Sequence, residues 1–331
     1  MCEAALTPLD SFPDRIFSQR QHWLAFAASI CGGEVVTEAL SAGGRRIGYL
    51  SGVKFHKFGI PIFGSPFPGW TTPYIGFNLL PDASRREALA LAEKFVFREL
   101  RCLHFEISDR FLHPEDGAAL DFGMRLVHSY MSDLTVPEEQ IFLQMNSSCR
   151  RAIRKAEKSG VTVEEAQPNG FAAEYYEQLK DVFAKQSLRP TYPRERVEQL
   201  IEHVHASGDL LLARALDPQG RSIATGIYAG FGPFSFFWGN ASLREHQHLR
   251  PNEALHWFAM RYWKARGMQW HDWGGGGTYK EKYGGNPSAV PSFFKSRWRA
   301  LSLARSAARS VYYLPRNYRR ARYRQSLGRS E

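Results

Sequence analysis

Cysteine is scarce in this chain, and what there is lies scattered. The four are Cys2, Cys31, Cys102 and Cys149, with no C-x-x-C among them. Neither a zinc knuckle nor a paired redox thiol is encoded, and free thiols in a reducing cytosol are expected. The two H-x-H pairs, His203 with His205 and His246 with His248, have no cysteine or carboxylate ligands beside them. They read as solvated helix or loop faces, and no metal is expected. Met1 to Pro13 holds Glu3 and Asp10 but no basic residue, which excludes the positive start of a signal peptide. A long apolar span is missing too. The longest uncharged run, Phe58 to Pro81, is broken by Pro61, Pro66, Pro68 and Pro73. It cannot be a spanning helix, and reads as strands and turns under a substrate site or as core. There is no G-x-S-x-G, no H-E-x-x-H and no cysteine with a convincing histidine partner. Carboxylate pairs such as Glu164-Glu165 have the look of surface.

Positive charge is present but uneven. The formal net charge is +10, and Ser296 to Glu331 holds ten arginines and one glutamate, which is +9, leaving +1 for the other 295 residues. Trp298, Tyr312, Tyr313, Tyr318 and Tyr323 are interleaved with those arginines. Such a tail suits an anionic surface, either phospholipid head groups or RNA. The plainer alternative is a last helix, about Arg297 to Tyr313, packed on the body and followed by a solvated end.

At 331 residues and 44% apolar composition, two domains with real cores are the natural expectation. Strand-like and helix-like segments alternate, which indicates an α/β protein. In the first half, Phe17 to Ile30 reads as a helix. Arg46 to Lys54, Phe58 to Phe63 and Leu103 to Ile107 read as strands. Ser84 to Glu99 reads as a helix with Ser84 as N-cap and Glu87 completing a capping box. In the second half, Thr135 to Ser159 is expected as one long helix, with Pro137 in its first turn and Gly160 as its stop. Val161 to Glu165 follows as a strand, then helices Phe171 to Lys185 and Arg194 to His205. Leu210 to Leu216, Ile223 to Tyr228 and Phe234 to Asn240 form a three-stranded meander. Asn252 to Arg266 is a helix and Met268 to Trp273 a strand.

The strongest local signal is Asp272-Trp-Gly-Gly-Gly-Gly-Thr-Tyr-Lys-Glu-Lys-Tyr-Gly-Gly285, six glycines in fourteen residues. They allow sharp turning and close approach. No Walker loop fits, because Thr278 precedes Lys280, and no helix follows at once as a dinucleotide fingerprint requires. A second signal is Asn146 to Val161, where Arg150, Arg151, Arg154, Lys155 and Lys158 fall within nine residues. Arg151, Arg154, Lys155 and Lys158 share one helical face, which suits phosphate, pyrophosphate or an RNA backbone. A solvated face partly neutralised by Glu157 is the alternative.

The glycine run with Tyr279-Lys280 and Tyr283-Gly-Gly285 resembles the FKxxFGG signature of Fem peptidyltransferases and their relatives among the GNAT acyltransferases. The Arg150 to Val161 stretch resembles the RxxIRKAEKxGV segment of the same group. More weakly, Phe17 to Trp23 is similar to its opening F-x-Q-x-x-x-W, although Trp23 by itself reads as core. The order β, α, α, meander, α, β in the second half also matches a GNAT core. There the strand after the meander and the strand after the next helix splay, and an extended donor pairs in the opening.

The resemblance implies an α/β fold of two GNAT-like lobes, each a mixed and mostly antiparallel sheet flanked by helices. The boundaries expected are 1–125, 126–296 and a basic helix and tail over 297–331. It implies an N-acyltransferase that moves an acyl or aminoacyl group to an amine of a cell-envelope or polysaccharide precursor. Lys280 would stabilise the oxyanion, an effect of about 3 kcal/mol, with Tyr279 and Trp238 shaping the acyl pocket. Arg151, Arg154 and Lys155 would hold anionic groups, Arg250 would meet a phosphate, and Glu253 and Tyr283 complete the candidates. Glu253 is either a base for the amine or a favourable charge at a helix start. Lys280 is expected to be exposed or in a cleft, with little packing to lose.

One departure bears on the donor. Acetyl-CoA users place a Q/R-x-x-G-x-G/A loop after the meander, and this chain has Arg244 to Ala254 without a glycine. This moves weight from acyl-CoA towards an aminoacyl-tRNA donor, with no tightly bound cofactor. The partners expected are a lipid- or nucleotide-linked envelope precursor, tRNA, and the inner face of the membrane through the basic tail, for an otherwise cytoplasmic chain. A different class of function is a non-catalytic binding protein that uses the basic helix and tail on RNA or anionic membrane.

Overall fold

The computed structural model describes residues 9–184, 188–275, 277–298, 300–302 and 305. The expected tail from 306 onward, with Tyr312, Tyr313, Tyr318 and Tyr323, lies outside the described residues. So does Cys2.

The chain opens with a short turn at Phe17–Gln19 and helix α1 (Gln21–Ser29), then strands β1 (Glu34–Ala42), β2 (Arg45–Lys57), β3 (Ile60–Ser65) and β4 (Phe77–Leu79). Helix α2 (Arg85–Lys94), strand β5 (His104–Ser108), helix α3 (Pro114–Ala118) and strand β6 (Gly123–Asp133) come after them. Next are α4 (Glu138–Gln144), α5 (Ser147–Lys158), β7 (Thr162–Glu165), α6 (Phe171–Ala184) and α7 (Arg194–Val204). The meander is β8 (Leu210–Leu216), β9 (Ser222–Phe231) and β10 (Phe234–Ser242), and α8 (Pro251–Ala265), β11 (Trp270–Asp272) and β12 (Asn286–Ser296) complete the order.

Several elements differ from the sequence expectation for local reasons. The single helix over Thr135 to Ser159 is two. Met145 leaves helical geometry, and the Asn146 side chain accepts from the Cys149 N–H to start α5. The free Asn146 N–H then donates to Lys282 O at 3.0 Å, which a continuous helix would forbid. The first helix starts at Gln21 rather than Phe17 because Gln19 turns its amide to Ile75 O and Phe77 O. Ser84 does cap α2 through Glu87 N, but the helix widens to a π-turn over Phe95–Glu99. Phe58 and Gly59 form a turn, so β3 begins only at Ile60.

Among the described residues the strands form one mixed, mostly antiparallel sheet in the order β1-β2-β3-β5-β12-β6-β11-β10-β9-β8-β7, with β4 on β2. Two similar halves are visible in that order. Each has an antiparallel meander, a helix, and a strand parallel to the last of the meander: β3 beside β5, and β10 beside β11. The strand that ends each half crosses to the other. β6 pairs with β11, and β12 pairs with β5. The crossing strands meet at the centre from Asn286↔Met131 to Phe294↔Gly123. The expected lobe boundary at 125/126 falls inside β6.

β12 carries Pro287 and Pro291, which speak against a central strand. Its pairing with β5 begins only at Ser292, so both prolines lie where β6 is its paired neighbour. On one face, α5 and α8 pack Ile153, Leu255 and Trp263 against Phe237 and Tyr228. On the other, α6, α7 and α1 pack Tyr175, Val197 and Trp23 against Phe236 and Trp238. Alternation along β10 sends successive side chains to opposite faces.

Candidate active site

β10 and β11 stay together for three residue pairs, Phe234↔Trp270 to Phe236↔Asp272. Beyond them β10 continues to Ser242, while the chain after β11 turns away through Gly274 and Gly275 at φ 56 and 55. A Cβ on Gly274 would lie 2.8 Å from the Phe236 ring, so glycine serves both conformation and close approach here. β10 also shifts register against β9 between Phe237 and Gly239. The two strands therefore part, as expected of Phe234 to Asn240 and Met268 to Trp273.

Two charged side chains fix the turn. Asp272 accepts from Gly274 N at 2.8 Å, from Arg110 at 3.1 Å and from Ser129 Oγ. Lys280 closes the other side. Its Nζ donates to Trp273 O at 2.6 Å and to Gly274 O, and it lies 3.5 Å from Gly275 O. This corrects the picture of an exposed or loosely held lysine, because Lys280 is only 7% exposed. Burial pulls its pKa from 10.5 down to about 8, with Asp272 acting in the opposite direction.

Beside this turn lies a cleft of about 210 Å³, lined by Asn240, Asn252, Glu253, His256, Tyr279, Lys282 and Tyr283 among others. Glu253 accepts from Lys282 Nζ at 2.7 Å. Asn240 donates to Asn252, which donates to Ser242, at 2.9 and 3.1 Å. His256 Nδ1 sits 2.9 Å from the Tyr228 hydroxyl. Burial first, then nearby His271, Lys282 and Lys280, push the His256 pKa well below 6.5, so the ring is neutral. Tyr283 is buried and stacks on Trp273 at 4.6 Å between centroids, and burial holds it as a phenol by raising its pKa well above 10.0.

Of the sequence candidates, Glu253, Tyr279 and Tyr283 meet in the cleft, and Lys280 lies behind them in the turn. Arg151, Arg154 and Lys155 are exposed on α5. They stand outside the cleft but next to it, since the start of α5 is bonded to Lys282 O. Arg250 is exposed at the start of α8 with φ 63. Trp238 does not line the cleft; it packs against Tyr192 and Tyr175 at 5.2 and 6.4 Å on the opposite face. Lys282, His256, Asn240 and Asn252 were not singled out in the sequence. Lys282 had a signal, since it sits inside the motif two residues past Lys280. The others had none, because their meeting depends on the splay.

Residues 144–283 match the family model for an acetyltransferase (GNAT) domain. Comparison with curated proteins gives no match. Among solved structures, FemX superposes with a TM-score of 0.74 at 15% identity, covering 89% of this chain and 96% of that one. A conserved protein of unknown function from Bacteroides thetaiotaomicron gives 0.56 at 9% identity, covering 86% and 94%. The C-terminal domain of a protein assigned as a lysylphosphatidylglycerol synthetase from Agrobacterium fabrum gives 0.53 at 10% identity, covering 82% and 86%. The chain carries a GNAT domain on a fold shared with FemX, and is a Fem-like GNAT acyltransferase.

Proposed function

We propose that this chain transfers an acyl or aminoacyl group to an amine of a cell-envelope or polysaccharide precursor, with the donor carbonyl held where β10 and β11 part. The observation that carries the reading is the cleft itself. An ion pair, Glu253 with Lys282, faces a turn whose shape is fixed by Lys280 and Asp272.

Acyl transfer needs a neutral attacking amine, a proton acceptor and positive charge near the developing oxyanion. In this reading Glu253 takes the proton of the attacking ammonium. The paired Lys282 keeps that carboxylate charged and in place. Lys280 holds the Trp273 and Gly274 carbonyls aside and contributes its charge from within the turn. Tyr279, 54% exposed, flanks the acyl group at the mouth.

The donor is proposed to be an aminoacyl-tRNA. Two features support this over acyl-CoA. The segment Arg244–Leu249 before α8 is a 3-10 turn without glycine, so the backbone nest for a pyrophosphate has a poor counterpart. The exposed Arg151, Arg154 and Lys155 lie beside the cleft, where a phosphodiester backbone would run. The resemblance in fold to FemX and to a lysylphosphatidylglycerol synthetase domain is in keeping with an envelope substrate.

Thermal unfolding in the presence of charged tRNAs and, separately, acyl-CoAs tests the donor. Radiolabel transfer to lipid- and nucleotide-linked precursor amines tests the reaction. A shift with acyl-CoA alone would reassign the donor. No transfer from any donor to any amine would remove the reading.

A further inference from the structure

The turn between β2 and β3 works against the preference of its own residues. Lys57 pairs with Ile60, which leaves a two-residue turn of Phe58 and Gly59 at φ 53 and 78. Hairpins with both central residues left-handed favour Asn-Gly there, and a bulky aromatic is disfavoured at positive φ. Phe58 gains no packing in exchange, since it is 95% exposed.

A second exposed aromatic stands at the same end of the sheet. Leu103 N donates to Pro61 O at 2.8 Å, and Arg297 N donates to Leu103 O at 2.9 Å. These bonds set the starts of β3 and β5 and the end of β12 in one row. Trp298 comes directly after and is 55% exposed. With about 4.8 Å between neighbouring strands, Phe58 and Trp298 leave the sheet roughly 10 Å apart across it. Lys57, Arg98, Arg101 and Arg297 are exposed around them and Lys54 is half-buried, against the acids Glu34 and Glu99. From residue 299 onward the sequence adds nine arginines and one glutamate.

We propose that this end of the sheet docks on an anionic lipid bilayer. Phe58 and Trp298 enter the head-group boundary, and the surrounding cations meet lipid phosphates. Aromatics flanked by Lys and Arg suit that boundary, where one end of the ring is apolar and the other wet. A ring at the tip of a convex hairpin suits insertion, whereas base recognition in RNA uses ring platforms on a surface. The surface is separate from the cleft, and the proposal does not rest on acyl transfer.

Sedimentation of the full chain with vesicles tests it, using phosphatidylcholine alone and phosphatidylcholine mixed with phosphatidylglycerol. The wild type should pellet with the anionic vesicles and not the neutral ones. Phe58→Asn suits the left-handed turn, so it should keep or raise the melting temperature while weakening pelleting. Combined with Trp298→Ser, it should lower vesicle partitioning by about tenfold or more. Trp270→Ser, which removes a partly exposed aromatic elsewhere, should change nothing. Wild-type partitioning by the Phe58, Trp298 double variant would overturn the proposal, leaving at most charge attraction through the arginines. Loss of RNA binding by that variant with vesicle binding intact would also overturn it, and would assign the surface to nucleic acid.

Discussion

The two halves of the sheet share one plan and treat the same position differently. In each, a meander leads through a helix to a strand parallel with the meander's last member. In the first half, β3 and β5 pair from Ile62↔His104 to Ser65↔Ile107, and Phe67 and Trp70 pack at the end of β3 with Phe55. Asp109, just past β5, is closed in by Phe77 N, Phe111 N and Arg85. In the second half, β10 and β11 part after three pairs, and Asp272 instead caps a glycine turn beside an open cleft. The same architecture thus gives a filled, structural end and an open, polar one. The difference lies in the residues just beyond the parallel pair: bulky aromatics in one case, glycines in the other.

The largest effect should come from the strands the halves exchange. Phe293 in β12 is buried against the first-half core although it comes after the second-half site in sequence. Phe293→Ala should cost about 3–5 kcal/mol. Urea unfolding followed by fluorescence and by circular dichroism should still give one coincident transition, because neither half has its full sheet without the other. Two separated transitions would show that the halves are independent.

Lys280→Met comes next and acts only on the open half. Acyl transfer should fall about 100-fold. Stability should fall by roughly 2 kcal/mol, since two carbonyls lose a buried donor. The pH dependence carries a sign. With a folded pKa of about 8 against 10.5, the unfolded chain binds more protons between those values. The lysine therefore makes stability rise with pH across that window. The variant should lack that rise, and denaturation midpoints at several alkaline pH values would expose its persistence.

Glu253→Gln should slow transfer by about tenfold or more and change stability by no more than roughly 1 kcal/mol. A rate equal to wild type across the pH range would remove Glu253 as the proton acceptor. The smallest effect on the fold should come from replacing Arg151, Arg154 and Lys155 together by glutamine. Stability should stay within about 0.5 kcal/mol, while tRNA affinity weakens and depends less steeply on salt. An unchanged salt slope would place the donor elsewhere.

Much of the second half was legible because its signals are local. The meander and the helix before β11 each carry their own turn or stop residues, such as Gly220 and Gly267. The motif around Lys280 stood out because glycines, aromatics and a lysine coincide. Less was legible in the first half and at the join. β1, β4, β6 and β12 were not foreseen, and the prolines of β12 argued against it until its one-sided pairing was seen. Asn146 broke an expected helix through a bond to Lys282 O, a residue 136 positions away in the chain. Periodicity has no means of registering such a contact.

What the sequence by itself determined is therefore chemistry carried by neighbours in the chain: glycines that allow a turn, a lysine placed to close it, and a helix with one basic face. The tertiary structure decided which groups face one another. It buried Lys280 on carbonyls instead of leaving it in the opening, and brought Glu253 to Lys282. It also turned Trp238 to the opposite face. Those outcomes depend on where two strands stop pairing and on which face of β10 each side chain takes, and both are set by contacts between distant segments.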